Sequence, residues 1–207
     1  MVVTIEPMQE LLEWLNANHL DGIQCAVLVL GVTEVLLARA NRVELYPAGI
    51  AATLLAVYSL FIVQLYAECL LHLYYLAMSI YGWWHWASKP DDRPLPVSFC
   101  MRKEWLTVLM IVFAGCALLF VFLVAFTSSE VPLWDAWISS TGWAGMWLLA
   151  RRKVENWMLL NISNAFAIPL LIYKNLPLFA ALTAFLFVIA CIGYADWVKL
   201  ARKHLAT

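Results

Sequence analysis

Lys153 to Asn164 reads KVENWMLLNISN, and this stretch decides the fold. Its polar members Asn156, Asn161, Ser163 and Asn164, with Trp157, interrupt what is otherwise a strongly apolar run. On a helix Trp157, Asn161 and Asn164 are spaced i, i+4, i+7 and share one face. Polar side chains at membrane depth are costly unless they meet a partner or line a cavity. The stretch also has an earlier copy. RVELY at Arg42–Tyr46 parallels KVENW at Lys153–Trp157, a shift of 111 residues (153 − 42). Continued without a gap, the shift pairs Gln64 with Asn175, Leu65 with Leu176, Gly82 with Gly193 and Trp86 with Trp197; extended backwards, it pairs Gly31 with Gly142. The chain is a duplicated unit.

Hydrophobic residues make up 64% of the 207, charged residues 13%, and the mean hydropathy is +0.80. Soluble domains run nearer half apolar and a quarter charged, and a fold of this size could not bury such an excess. The composition predicts an all-α integral membrane protein, because helices satisfy their own backbone in lipid and the runs lack barrel-like alternation. The five cysteines are scattered, without a CxxC pair, and read as small apolar packing residues. MVVTIEPMQE carries two acids and no base, the wrong start for a cleaved signal peptide.

Pro7 to Asn18 sets Met8, Leu11, Leu12, Trp14 and Leu15 against Glu10 and Glu13, which predicts a short amphipathic interfacial helix within residues 1–20. Seven runs then qualify as spans: Gly22–Arg39, Pro47–Gln64, Cys69–Trp86, Trp105–Phe126, Trp134–Leu149, Trp157–Tyr173 and Pro177–Val198. Placing alternate connections on alternate sides puts Arg39, Arg42, Lys89, Arg93, Arg102, Lys103, Arg151, Arg152, Lys153, Lys199, Arg202 and Lys203 on one side and Lys174 alone on the other. By the positive-inside rule the amino terminus is outside and the carboxy terminus cytoplasmic. Spans 1–3 match spans 5–7 with the fourth unmatched. Equivalent points are therefore four spans apart, and the two bundles insert the same way up, related by an axis along the membrane normal. The predicted organisation is 3+1+3: a first bundle over 21–86, a cytoplasmic linker and connecting helix over 87–126, a second bundle over 132–198, and a tail over 199–207.

No GxSxG, HExxH, CxxC pair or P-loop is present, so nothing in the sequence supports an enzyme, a metal site or a cofactor site, and no nucleic-acid motif is seen. His72 in span 3 reads as a packing residue, and Glu34 in span 1 as a partner of Arg39 or a snorkelling acid. Trp83, Trp84, Trp86, Trp105, Trp134 and Trp197 read by position as interfacial belt residues. A flat solute could stack on Trp157, Tyr74 or Tyr75 while Asn156, Asn161, Asn164, Gln64 and Ser79 bond its edges. The alternative for Asn161 and Asn164 is helix-to-helix bonding. The second repeat, with three amides in one short stretch, is expected to supply most contacts. Pro169 inside span 6 is the candidate flex point.

ENW at Glu155–Trp157 after ARRK, YPAGI at Tyr46–Ile50, QLYAECLLHLYYLAMSIYGWWHW at Gln64–Trp86 and GYADW at Gly193–Trp197 resemble the PnuC family over about Gly22 to Lys199. The resemblance implies a bacterial inner-membrane vitamin-precursor transporter with a 3+1+3 fold similar to the SWEET sugar transporters. It implies facilitated diffusion, most often of nicotinamide riboside and in relatives of thiamine or riboflavin, with trapping by a cytoplasmic kinase. Riboside members typically carry ENWxxW followed by Asn. Glu155, Asn156, Trp157 and Asn164 match that pattern, whereas Leu160 stands in place of the second Trp and Asn161 in place of an apolar residue. A proton-coupled carrier or intramembrane enzyme using Glu34 or His72, a non-transporting sensor, and homo-oligomerisation all stay open at this point.

Overall fold

The computed structural model describes residues 6–62, 66–88, 96–127, 129–175 and 177–205. Seven helices follow in order: α1 Glu6–Arg39, α2 Leu45–Ile62, α3 Tyr66–Ala87, α4 Arg102–Phe126, α5 Pro132–Ala150, α6 Asn156–Tyr173 and α7 Pro177–Leu205. An isolated bridge between Ser98 and Lys153 is the only extended pairing among the described residues. The separate amino-terminal helix expected over Pro7–Asn18 is instead continuous with span 1. α1 runs unbroken for 34 residues, about 50 Å at 1.5 Å per residue.

Element boundaries repeat with the 111-residue shift. The ends of α1 and α5 (Arg39, Ala150), the starts of α2 and α6 (Leu45, Asn156) and their ends (Ile62, Tyr173), and the starts of α3 and α7 (Tyr66, Pro177) all correspond. So do the turns between the first two helices of each bundle. Asn41 and Arg152 both adopt left-handed backbone, with φ 56° and 53°. Behind them Arg42 N donates to Leu37 O and Lys153 N to Leu148 O, both at 3.0 Å. This is the left-handed helix stop in which the second residue past the cap reaches back to satisfy an orphan carbonyl. Asparagine tolerates the conformation; arginine there must be held by its surroundings.

Within the bundles α1 packs on α2, α2 on α3, α5 on α6 and α6 on α7; across them α3 packs on α5 and α1 on α7, so the contacts between bundles are reciprocal too. α4 packs mainly on α5 through Val108, Val112, Leu119 and Leu123. Five helices carry apolar stretches long enough to cross a membrane, in α1, α2, α4, α6 and α7. α3 and α5 fall short because they carry His, Tyr, Ser and Thr, and α5 can do so because it lies inside. Ser140, Thr141, Gly142, Ala144 and Gly145 of α5 are all buried, and Ser140 and Thr141 return their hydroxyls to the Trp137 carbonyl at 3.1 and 2.8 Å. Small residues let neighbouring backbones approach, and hydroxyls bonded to their own helix cost little in lipid.

Paired aromatic–glycine contacts close each bundle. Tyr46 lies against Gly82, and its repeat equivalent Trp157 against Gly193, where an added Cβ would stand 2.8 Å from Trp157 Cε2. Tyr46 meets Trp86 edge-on at 5.2 Å, and Trp157 meets Trp197 edge-on at 5.7 Å. Trp86 and Trp197 are therefore core residues, at 5% and 0% exposure, and not the belt residues their positions suggest; Trp83 and Trp84 do face outward. Of the cysteines, Cys69 is buried while Cys25 and Cys191 are exposed. α6 continues through Pro169. Gly193→Ala is expected to lose about 1–3 kcal/mol from overpacking against the Trp157 indole. A thermal-unfolding midpoint in detergent unchanged from wild type would show that the ring yields freely.

Candidate functional site

A cavity of about 280 Å³ lies where the two bundles meet. α1 contributes Val27, Gly31, Glu34, Val35 and Ala38; α2 contributes Ala52, Thr53 and Ala56; α3 contributes His72, Tyr75 and Ser79. From the second bundle come Met146 and Leu149 of α5 and Trp157 and Leu160 of α6. Val35 and Met146, and Ala38 and Leu149, are equivalents under the 111-residue shift, so the cavity straddles the axis relating the copies. From there it extends into the first bundle. Every polar side chain on its wall except the Trp157 indole belongs to the first copy, and the second copy supplies an apolar face. The opposite division was expected, because the amides cluster on the second copy.

The chemistry of the wall is that of a recognition site. Trp157 offers an indole with a buried Nε1 that has no hydrogen-bond partner among the described residues. Thr53, Ser79 and Tyr75 offer hydroxyls, Glu34 a carboxyl group and His72 an imidazole. Tyr75 is oriented edge-on to His72 at 5.9 Å, and its hydroxyl lies over Gly142, where an added Cβ would stand 3.2 Å away. No cluster of metal-ligating side chains occurs among the described residues. A second cavity of about 400 Å³ shares Val27, Ala56 and His72 with the first and continues past Gln24, Ser59, Leu60 and Phe179. This extension leads towards the end of the molecule where α2 ends and α7 begins. A larger groove of about 700 Å³ between Phe120, Trp134, Trp137 and Phe166 is lined almost wholly by apolar side chains and holds no charged side chain among the described residues.

The other end of the site is shut. Tyr46, Trp86, Trp157 and Trp197 form one aromatic layer, with Trp86 and Trp197 6.3 Å apart. Trp86 Nε1 donates to Ala150 O at 3.1 Å, and Trp197 Nε1 to Ala38 O and Arg39 O at 3.2 and 3.3 Å. The Arg152 guanidinium caps the layer 3.9 Å from the Trp86 ring, and burial lowers its pKa from the ordinary arginine value. Beneath it the segment 96–101 is pinned to the α5–α6 turn. Ser98 N donates to Arg152 O and Val154 N to Ser98 O, both at 3.1 Å, and Cys100 N donates to both Glu155 carboxylate oxygens at 3.0 Å. Burial and the Glu155 charge push the Cys100 thiol pKa upwards, so it stays protonated.

Of the residues singled out from sequence, Trp157, Tyr75 and Ser79 come together on the cavity wall. Tyr74 turns away: it stacks on Trp143 at 4.5 Å and donates to the Trp143 carbonyl at 3.0 Å. Asn156 is fully buried and donates to Lys153 O at 2.5 Å, closing the turn before α6. Asn161 donates to Cys191 Sγ at 3.3 Å, between α6 and α7. Asn164 is half-buried and is not on the wall, though its repeat equivalent Thr53 is. Gln64 lies outside the described residues. Glu34 does not pair with Arg39, whose Nε bonds Asp196 at 2.9 Å. Glu34, Thr53 and His72 are the polar wall residues that sequence reasoning did not place in the site. An acid and a histidine inside apolar spans were the available signal, but only packing brings them to one space.

The family model described as Nicotinamide mononucleotide transporter matches residues 22–199. The chain belongs to this family. It is 25% identical over 215 residues to the nicotinamide riboside transporter PnuC of Escherichia coli (strain K12), covering 89% of this chain and 88% of the relative. The PnuC of Shigella flexneri matches with the same figures. Among solved structures, the crystal structure of the vitamin B3 transporter PnuC superposes with a TM-score of 0.71 at 20% identity, over 96% of this chain and 88% of that one. That likeness establishes the fold. The chain is a multi-pass membrane protein of a transporter family, and its relatives are transporters by name and not enzymes. Tyr74→Phe is expected to cost about 1 kcal/mol of thermal stability and leave solute affinity unchanged. A loss of binding in that variant, read by calorimetry, would return Tyr74 to the site.

Proposed function

We propose that this protein carries nicotinamide riboside into the cell by facilitated diffusion, with a cytoplasmic kinase trapping the product as a functional partner. The observation that supports this most directly is the cavity on the repeat axis, with an indole at one wall and hydroxyls, an imidazole and a carboxyl group at another. Its 280 Å³ lies just below the ~300–1,000 Å³ usual for small-molecule sites, which suits a solute no larger than a nucleoside. The ring would stack on Trp157 and the ribose hydroxyls would bond Thr53, Tyr75 and Ser79. Asn164, the counterpart of Thr53, would meet the solute once the bundles have moved. Thiamine and riboflavin are the alternatives within the family, and Leu160 is the wall residue whose size would separate them.

The membrane arrangement in this proposal is seven spans in a 3+1+3 order with parallel repeats, in the bacterial inner membrane, amino terminus periplasmic and carboxy terminus cytoplasmic. The segregation of twelve basic residues from Lys174 supports the orientation. In that frame the aromatic layer of Tyr46, Trp86, Trp157 and Trp197 lies at the cytoplasmic end as the closed gate, and the extension past Gln24 and Ser59 is the entry. Alternating access is a rocking of the two bundles about the axis, with the layer parting as Trp86 and Trp197 leave the carbonyls they hold. Pro169 is the proposed flex point in α6.

Trp157→Ala is expected to weaken nicotinamide riboside binding by roughly tenfold or more in calorimetry on the purified protein. Asn164→Ala is expected to lose counterflow in proteoliposomes. Unchanged binding and unchanged counterflow in the two variants would remove the site assignment. A second reading, proton-coupled transport, is favoured by Glu34 and His72 sharing the cavity. Facilitated diffusion predicts the same initial uptake rate in proteoliposomes with and without an imposed proton gradient. Uptake that rises with the gradient would favour the coupled carrier.

A further inference from the structure

The cavity has two unlike walls, and the repeat shows how they arose. Glu34 of α1 corresponds to Gly145 of α5, and Gly49 of α2 corresponds to Leu160 of α6. In each copy the first two helices of the bundle come close through one glycine, but the partners have exchanged places. In the first copy a Cβ on Gly49 would collide with the Glu34 carboxyl group, so the glycine on α2 makes room for the acid on α1. In the second copy a Cβ on Gly145 would stand 2.9 Å from Leu160 Cδ2, so the glycine on α5 makes room for the leucine on α6. Both incoming side chains reach the cavity wall. The two copies thus fill the gap beside the glycine from opposite helices, one with an acid and the other with an alkyl side chain.

Glu34 lies inside an apolar span, Gly22–Arg39, where a carboxylate is costly without a partner. Among the described residues no hydrogen bond or ion pair reaches it, and Arg39, the nearest base in sequence, is engaged with Asp196. Among the described residues the wall holds no lysine or arginine. The titratable groups that share the cavity with Glu34 are His72 and Tyr75, both from α3. The carboxyl group lies over Gly49, and Glu34 is part of the cavity wall.

We propose that Glu34 is the counter-charge that makes this cavity select a cationic heteroaromatic ring over a neutral ring of the same shape. The inference rests on the transport reading above and deepens it. The ring lies against Trp157 and Leu160, whose indole face and alkyl group welcome a flat cation, and the positive charge is neutralised by the carboxylate from the first copy. Leu160 supplies an apolar wall without a second indole, so charge selection falls to Glu34 rather than to a pair of rings.

The test uses two ligands that differ in little but charge: nicotinamide riboside, with its cationic pyridinium, and its reduced dihydropyridine form, neutral with the same ribose and carboxamide. Affinities are measured by calorimetry on the purified full-length protein, for wild type, Glu34→Gln and Glu34→Asp, with folding checked by thermal unfolding. The expected result is a preference for the cation of roughly tenfold or more in wild type and Glu34→Asp, falling to within about twofold in Glu34→Gln through loss of cation affinity alone. Equal wild-type affinity for the two ligands would overturn the inference and leave the transport reading standing. So would a folded Glu34→Gln that weakens both by one factor. If wild type binds neither, the riboside reading falls and this inference falls with it.

Discussion

The structure depends on the reciprocal reach of two indoles across the boundary between the bundles. Trp86, from the third helix of the first bundle, donates to the Ala150 carbonyl at the end of α5; Trp197, from the third helix of the second, donates to the carbonyls that end α1. The last carbonyls of a helix have no partner within it, and in a buried apolar layer each must find one. Each bundle therefore completes the other's first helix. The two indoles also touch, so the helix ends, the aromatic layer and the floor of the cavity are held by one set of contacts. Bundles joined this way part at this end by giving up the hydrogen bonds of both indoles, their ring contact and the Arg39–Asp196 ion pair together, which suits an opening that is all-or-none.

Around this symmetric frame the copies have diverged. The turn after α1 is plain: Arg42 and Glu44 pair with each other in the open. The equivalent turn after α5 is covered by the strand-like segment that leads into α4, and Glu155, the counterpart of Glu44, is buried holding the Cys100 amide. Glu104 of α4 reinforces the contact through Lys153 at 2.9 Å. A buried ion pair is weak as a source of stability but specific about register, because leaving either partner alone is costly. α4 is thereby fastened to the second bundle, while among the described residues the first bundle meets the second mainly through the α3–α5 and α1–α7 faces and the aromatic layer. The first bundle, without such a fastening, is the one that carries the polar wall.

Much of this was legible in the sequence. The 111-residue register survives in the matched left-handed turns and in the helix limits on either side of them, because a turn needs only a few local groups: an Asn or held Arg at the left-handed position and a carbonyl behind it. Trp157, Tyr75 and Ser79 were recognisable as wall residues because an aromatic or a hydroxyl within an apolar run needs a reason. The amides misled for the same reason. Asn156 and Asn161 satisfy the requirement for a partner through a turn carbonyl and a neighbouring sulfur, and neither needs a ligand to do so. Trp86 and Trp197 misled through position: a tryptophan near a helix end reads as a belt residue unless its indole is known to reach another helix.

Sequence alone therefore determined the helical membrane class, the duplication, its register and the family pattern, all of which rest on composition, periodicity and local turn chemistry. Which side chains share a space was decided by the tertiary structure. Glu34 and Leu160 are 126 residues apart and stand on helices of different bundles, and they line one cavity only because glycines let the first two helices of each bundle approach closely enough to push both side chains inward. Close packing is a property of pairs of helices, and no pattern along one of them records it.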